Sequence, residues 1–145
     1  WSIDDVWGAS PDDVWAVGAG VIVHWDGTAW SSRLGGVAAG ADAIWSSGPD
    51  DVWAVDYGSD VLHWDGSSWS SIPILPIWRE LTAVWGPGAT DVWAVGFSGM
   101  ILHWDGSSWS KVRSGTTTGL FGVGSDGSGG VRVVGEGGAV LHHRP

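Results

Sequence analysis

His63-Trp64-Asp65-Gly66-Ser67-Ser68-Trp69-Ser70 recurs unchanged at His103–Ser110, and at His24–Ser31 it differs only in Thr28 and Ala29. Its first tryptophans, Trp25, Trp64 and Trp104, are 39 and 40 residues apart, and a further 39 residues reaches His143. A fixed period of this length marks an array of supersecondary units, each too small to bury its apolar face alone.

Working outward, each copy of the stretch is preceded by a short apolar run: Val21–Trp25, Val61–Trp64 and Met100–Trp104. These runs are β-branched or aromatic and too brief for helices, so they read as strands. Asp-Gly closes each one, at Asp26-Gly27, Asp65-Gly66 and Asp105-Gly106, which predicts a tight hairpin with positive φ at its central residues. A further strand is then centred on Trp30, Trp69 and Trp109.

Upstream lies Asp13-Val14-Trp15-Ala16-Val17-Gly18, matched at Asp51–Asp56 and Asp91–Gly96. Before it comes another apolar run, joined in the first copy through Ser10-Pro11-Asp12, where Pro and Asp favour a type I turn. Each repeat therefore holds four strands with up-and-down connections. The second and third strands are apolar on both faces, as in a sheet sandwiched between neighbours. A β-sandwich needs a wet face, and a solenoid coil usually has a shorter period. The reading is all-β, a β-propeller of four-stranded antiparallel blades: blade one at 3–40, blade two at 41–80, blade three at 81–119 and a partial fourth at 120–145, within one repeat domain. In the fourth copy Gly124, Arg132 and His143 stand where the others have Trp.

Composition fits this picture. There are 14 Trp and 25 Gly, which suit flat side chains packed between many turns. The absence of Cys excludes disulfides and thiolate metal sites. Asn and Gln are also absent, which removes amide contacts to bases and to sugars. A formal charge of −10 repels phosphate backbones, so nucleic acid is excluded as a partner. No apolar run is long enough for a membrane span. The chain opens on Trp1 rather than Met, which reads as a processed chain or a fragment, and a removed leader fits that start.

The combination of Asp-Val-Trp-Ala-Val-Gly, an apolar strand and Trp-Asp-Gly-Ser-Ser-Trp resembles Trp-rich bacterial β-propeller repeats related to the Asp-box (BNR) group, over Ile3 to His142. Sialidases and photosystem-assembly propellers carry boxes of this general kind. Asp26 to Trp30, Asp65 to Trp69 and Asp105 to Trp109 each span four positions, one fewer than an Asp box. The Trp-Asp pair is similar to that of WD40 repeats, whose Gly-His pair is missing here. The resemblance implies a propeller, and its analogy favours a secreted, periplasmic or cell-surface setting.

The repeated His24, His63, His103 and His142 are metal-ligand types. Their equivalent positions in rotated blades keep them from converging, so they read as structural, each bonded to a nearby carboxylate or carbonyl. Asp26, Asp65 and Asp105, like the pairs Asp12-Asp13 and Asp50-Asp51, offer too few oxygens for calcium and read as turn residues. No metal or cofactor is implied. A sialidase-like site needs an Arg cluster with Tyr and Glu, and a Ser-His-Asp constellation is not marked out, so the expectation is that the chain is not an enzyme.

The copies differ in the loops between strands two and three and in the linkers between blades, which share one face of a propeller. Binding residues concentrate on such loops. The candidates are Tyr57, Asp60, Ile74, Leu75, Ile77, Trp78, Arg79, Phe97 and Arg113. Two functions remain open. One is a protein-interaction or assembly scaffold that self-associates into a larger ring or binds another protein. The other is a lectin-like propeller that holds a glycan through variable-face aromatics.

Overall fold

The computed structural model describes residues 2–35, 40–56, 58, 60–74 and 80–144. The first blade comprises β1 (Asp5–Ser10), β2 (Asp13–Gly18), β3 (Val21–Trp25) and β4 (Trp30–Ser32). The second comprises β5 (Ala43–Gly48), β6 (Asp51–Val55), β7 (Asp60–Trp64) and β8 (Trp69–Pro73). The third comprises β9 (Leu81–Gly88), β10 (Asp91–Gly96), β11 (Met100–Trp104) and β12 (Trp109–Lys111). The fourth has β13 (Leu120–Ser125), β14 (Val131–Gly135) and β15 (Val140–His143). In every blade the strands pair antiparallel in sequence order. Among the described residues no helix is long and apolar enough to cross a membrane.

The register explains the repeat. Trp7, Trp15, His24 and Ser31 lie opposite one another across the four strands of the first blade. The same row is Trp45, Trp53, His63 and Ser70 in the second, and Trp85, Trp93, His103 and Ser110 in the third. In the fourth it becomes Gly124, Arg132 and His142.

Successive first strands lie side by side, β1 on β5, β5 on β9 and β9 on β13, so the blades fan out from a common inner edge. Side chains also bond across it. Ile44 N donates to Asp5 Oδ2 at 2.9 Å, and Thr82 Oγ1 donates to the carbonyl of Leu120 at 2.5 Å. The core is divided into three layers, one at each junction between blades. Trp15, Val17, Ile22, Ile44 and Trp69 fill the first; Trp53, Val55, Val61, Leu81 and Leu102 belong to the second; Trp93, Val95, Leu120 and Val133 belong to the third. This is why the inner strands are apolar on both faces: in β6, Ala54 serves one layer and Val55 the next. Burying a large apolar side chain in such a layer contributes about 1.5–3 kcal/mol.

The Asp-Gly hairpins differ in detail from the two-residue turn that the dipeptide predicts. β3 ends at Trp25 and β4 begins at Trp30, leaving a four-residue loop in which Gly27 (φ 88°) takes the left-handed conformation. Asp26 stays outside the positive-φ region; its backbone N–H donates to the carbonyl of Ala29 at 3.3 Å, and its carboxylate accepts from the N–H groups of Thr28 and Ala29.

Candidate functional site

Each histidine of the repeated stretch is held by an aspartate of the preceding strand or turn. His24 Nε2 lies 2.7 Å from Asp13 Oδ1, His63 Nε2 2.8 Å from Asp51 Oδ1, and His103 Nε2 2.8 Å from Asp91 Oδ1. The imidazole is also laid against the tryptophan opposite it, with ring centroids 4.4 Å apart for Trp15–His24, 4.1 Å for Trp53–His63 and 4.2 Å for Trp93–His103. In blades one and three the indole nitrogen donates to the same carboxylate, at 3.1 Å from Trp15 and 2.7 Å from Trp93. Burial pushes the Asp51 carboxyl up, and the bonds from His63 and Ser47 outweigh it and bring it below the usual range. In the fourth blade the carboxylate comes from the turn instead: Asp126 Oδ2 lies 2.6 Å from His142 Nε2.

These contacts correct the reading of Asp13 and Asp51 as turn residues alone. Their carboxylates orient the histidines, and Asp91 does the same. The signal in the sequence was the recurrence of an Asp 11 residues before His24 and 12 before His63 and His103.

The hairpin aspartates do shape turns. Asp65 Oδ1 accepts from Ser67 N and Ser67 Oγ and from Ser68 N, at 2.7–2.8 Å. Asp26 and Asp105 repeat the pattern with Thr28 and Ala29 and with Ser107 and Ser108. The hydroxyl bond followed by the backbone N–H bonds lowers all three carboxyls to about 2.

Among the described residues, two hollows open on the face that carries the variable loops. One, of 470 Å³, is lined by Asp4, Asp42, Thr82 and Phe121, which occupy equivalent positions at the entry to the first strand of each blade, together with Phe97. Phe97 and Phe121 meet edge to face with centroids 5.4 Å apart. The other, of 690 Å³, runs from Ser98 and Gly99 to the linker between blades three and four and includes Lys111 and Arg113, two of the chain's six basic residues. Phe97 and Arg113 are thereby brought to neighbouring hollows.

Asp60 and Ile74 are not brought there. Asp60 is engaged within its own blade, accepting from Ser71 Oγ at 2.6 Å, and Ile74 packs against the core layer between blades two and three. Tyr57, Leu75, Ile77, Trp78 and Arg79 lie outside the described residues. Two of the aromatics of the sugar-binding alternative, Tyr57 and Trp78, are thus among the residues outside that description. Sequence reasoning missed Asp4, Asp42, Thr82 and Phe121; the clue was that this position reads Asp, Asp, Thr and Phe while the residue before it, Ile3, Ala41, Leu81 or Leu120, is apolar in every copy.

The two flanks of the array are unlike its interior. Val134, on the last blade, is 47 % exposed, whereas its equivalents Val17, Val55 and Val95 are fully buried by the following blade. On the first blade Val6 is 59 % exposed, whereas its equivalent Ile44 is 2 % exposed beneath the preceding one. Ile3, Trp30 and Val140 are bare in the same way. Arg132, also exposed, stands where Trp15, Trp53 and Trp93 reach into the next blade.

No protein-family model and no curated protein matches the chain. Solved structures do. A structure of YCF48 bound to D1 peptide aligns with TM-score 0.78 at 16 % identity over 99 % of this chain and 50 % of that one. The computationally designed Ika4 protein aligns with TM-score 0.75 at 17 % identity over 97 % of this chain and 89 % of that one. Virginiamycin B lyase from Staphylococcus aureus aligns with TM-score 0.70 at 11 % identity over 96 % of this chain and 54 % of that one. The chain spans about half the length of YCF48 and of the lyase. The last likeness overturns the expectation that the chain is not an enzyme, because the lyase shows that the architecture carries catalysis. A search for known residue constellations does not exclude chemistry assembled from loops on such a scaffold. Sheets, register and structural likeness agree that the chain has the β-propeller fold.

Proposed function

We propose that the chain is a β-propeller scaffold for protein interaction and assembly, a single repeat domain whose ring is completed by a second copy joined head to tail. The observation that carries this reading is the complementarity of the two flanks. The bare face of the last blade repeats, at Val134, the valine that Val17, Val55 and Val95 present to their successors, with Arg132 in place of the tryptophan. The bare face of the first blade is a copy of those that blades two to four present to their predecessors. Stacking one on the other repeats a junction that the chain already makes three times, and two such heterologous junctions close a ring of about eight blades, within the usual range. Arg132 of one copy then lies over Trp25 and Trp30 of the other, a cation–π contact of the kind that Arg33 makes with Trp64 at 6.0 Å.

The protein partner meets the variable face around Phe97 and Arg113. Support comes from YCF48, which shares the fold and is bound to a peptide. Kinship with Asp-box repeats belongs to the same reading, supported by the aspartate that organises each hairpin loop.

Light scattering across a range of concentrations tests the assembly. The expected mass is that of two chains, falling to one chain in Val134→Glu with unchanged far-ultraviolet dichroism. A single-chain mass for the unmodified protein at high concentration overturns it.

A further inference from the structure

The hollow of 690 Å³ is walled by the loop after β10 and by the linker from β12 to β13. The two walls are fixed to each other. Gly99 N donates to the carbonyl of Thr118 at 2.7 Å, and Gly99 (φ 71°) packs so closely on the linker that a Cβ there would lie 2.1 Å from the carbonyl oxygen of Thr116. Within the linker, Ser114 Oγ donates to the Thr116 carbonyl at 3.1 Å, and Thr118 N donates to Thr116 Oγ1 at 3.2 Å. The hollow is therefore preformed, and its volume falls within the range of about 300–1,000 Å³ in which ligand sites are found.

Its charge is opposite to that of the chain. Val112 N continues the strand ladder by donating to the carbonyl of Ile101 at 2.9 Å, and Val112 packs on the core layer between blades three and four. Alternate side chains of an extended segment share a face. Lys111 and Arg113, one on either side of Val112, are thus turned the other way, and both are exposed. The ion pairs among the described residues join His to Asp, so no carboxylate there neutralises either cation. The blade does not need them. The same two positions are Ser32 and Leu34 in blade one and Ser71 and Pro73 in blade two. Blade two also supplies an acid beside the first of them, Asp60, which accepts from Ser71; in blade three the buried Met100 stands there instead.

We propose that this hollow receives a short acidic segment of a protein partner, whose side-chain carboxylates pair with the Lys111 ammonium and the Arg113 guanidinium. The inference rests on the reading that a protein partner meets the variable face, and it names the chemistry of that partner. An arginine fork holds a carboxylate through two parallel N–H bonds, and a lysine adds a point charge. Thr117, on the same lining and exposed, sets a hydroxyl donor beside them. The adjoining hollow holds Asp4 and Asp42, so negative charge is accepted at one of the two only. That contrast disfavours a long polyanion and favours a segment whose acidic run is brief. The rest of the chain, at a formal −10, repels such a segment and confines it to this place.

The test uses the unmodified protein and two acetylated, amidated peptides, Gly-Phe-Asp-Glu-Asp-Glu-Gly and its neutral counterpart Gly-Phe-Asn-Gln-Asn-Gln-Gly. Titration followed by backbone amide NMR is expected to show saturable binding of the acidic peptide, with shifts at Ser98, Gly99 and the linker from Lys111 to Thr117. The neutral peptide is expected to bind at least tenfold more weakly, about 1.4 kcal/mol. Acidic-peptide binding is expected to weaken as salt rises from about 0.01 to about 0.15 M, where the Debye length falls from about 30 to about 8 Å. The double variant Lys111→Ser with Arg113→Leu, which installs the residues of blade one, is expected to lower affinity for the acidic peptide to that of the neutral one. Unchanged affinity in the double variant, salt-independent binding, saturation elsewhere on the chain, or displacement by an equal concentration of inorganic phosphate overturns the proposal. Equal affinity for the two peptides with shifts at Phe97 and Phe121 overturns it while leaving the protein-partner reading in place, and absence of binding by either peptide counts against both.

Discussion

The smallest unit of this fold is a trio of side chains. Asp51, His63 and Trp53 lock strand two of a blade to strand three through one hydrogen bond and one ring stack. His63→Ala removes both and leaves the part-buried Asp51 without its ring partner. The expected loss is about 1–3 kcal/mol of unfolding free energy, read from urea denaturation. His63→Phe, which keeps the stack and loses the bond, is expected to lie between. The structural role of the histidines was legible because a residue recurring at one point of a rotated repeat cannot converge with its copies. Their partners were less legible: Asp13 and Asp51 sit in Pro-Asp-Asp turns, where turn chemistry alone accounts for an aspartate. Only the strand register joins positions 11 or 12 residues apart.

At the scale of the hairpin, the loop after strand three is built around one carboxylate. The Asp26, Asp65 and Asp105 carboxyls stand at about 2 in the folded chain, below the ordinary value near 3.8. Because the folded value is the lower one, their stabilising contribution is complete above the unfolded value and is lost as pH falls from about 4 toward 2. The expected outcome is a melting temperature that drops over that window, with a smaller drop in Asp65→Asn, whose hairpin no longer titrates. Carboxyl titration followed by NMR checks the individual values. Asp-Gly marked the hairpins correctly but suggested a shorter turn. The difference arises because the hydroxyls of Thr28, Ser67 and Ser107 complete a side-chain-centred loop, so that Gly27, Gly66 and Gly106 alone enter positive φ.

For the whole molecule, the sequence made the sheets and their order legible because the same pattern of turns and apolar runs returned three times. The flanks were not legible as flanks. Val6 and Val134 look like any core valine until their neighbouring blade is placed or missing. A head-to-tail junction has a specific consequence for mixtures. Val6→Glu spoils one flank and Val134→Glu the other, so each variant alone is expected to run as a single chain. Mixed, they retain one intact junction and are expected to pair, visible as a shift in sedimentation. A self-complementary face would not behave this way. The near-identity of the blades also bears on how the chain reaches its fold. His63–Ser70 and His103–Ser110 are the same eight residues, so on the folding landscape the hairpin of one blade can dock in the seat of another with little difference in energy. Such near-degenerate minima are local frustration. What separates them is the residues that follow, Ile72-Pro73-Ile74 after one copy and Lys111-Val112-Arg113 after the other. The segments that vary between repeats therefore act as addresses, telling each interchangeable hairpin which blade it belongs to.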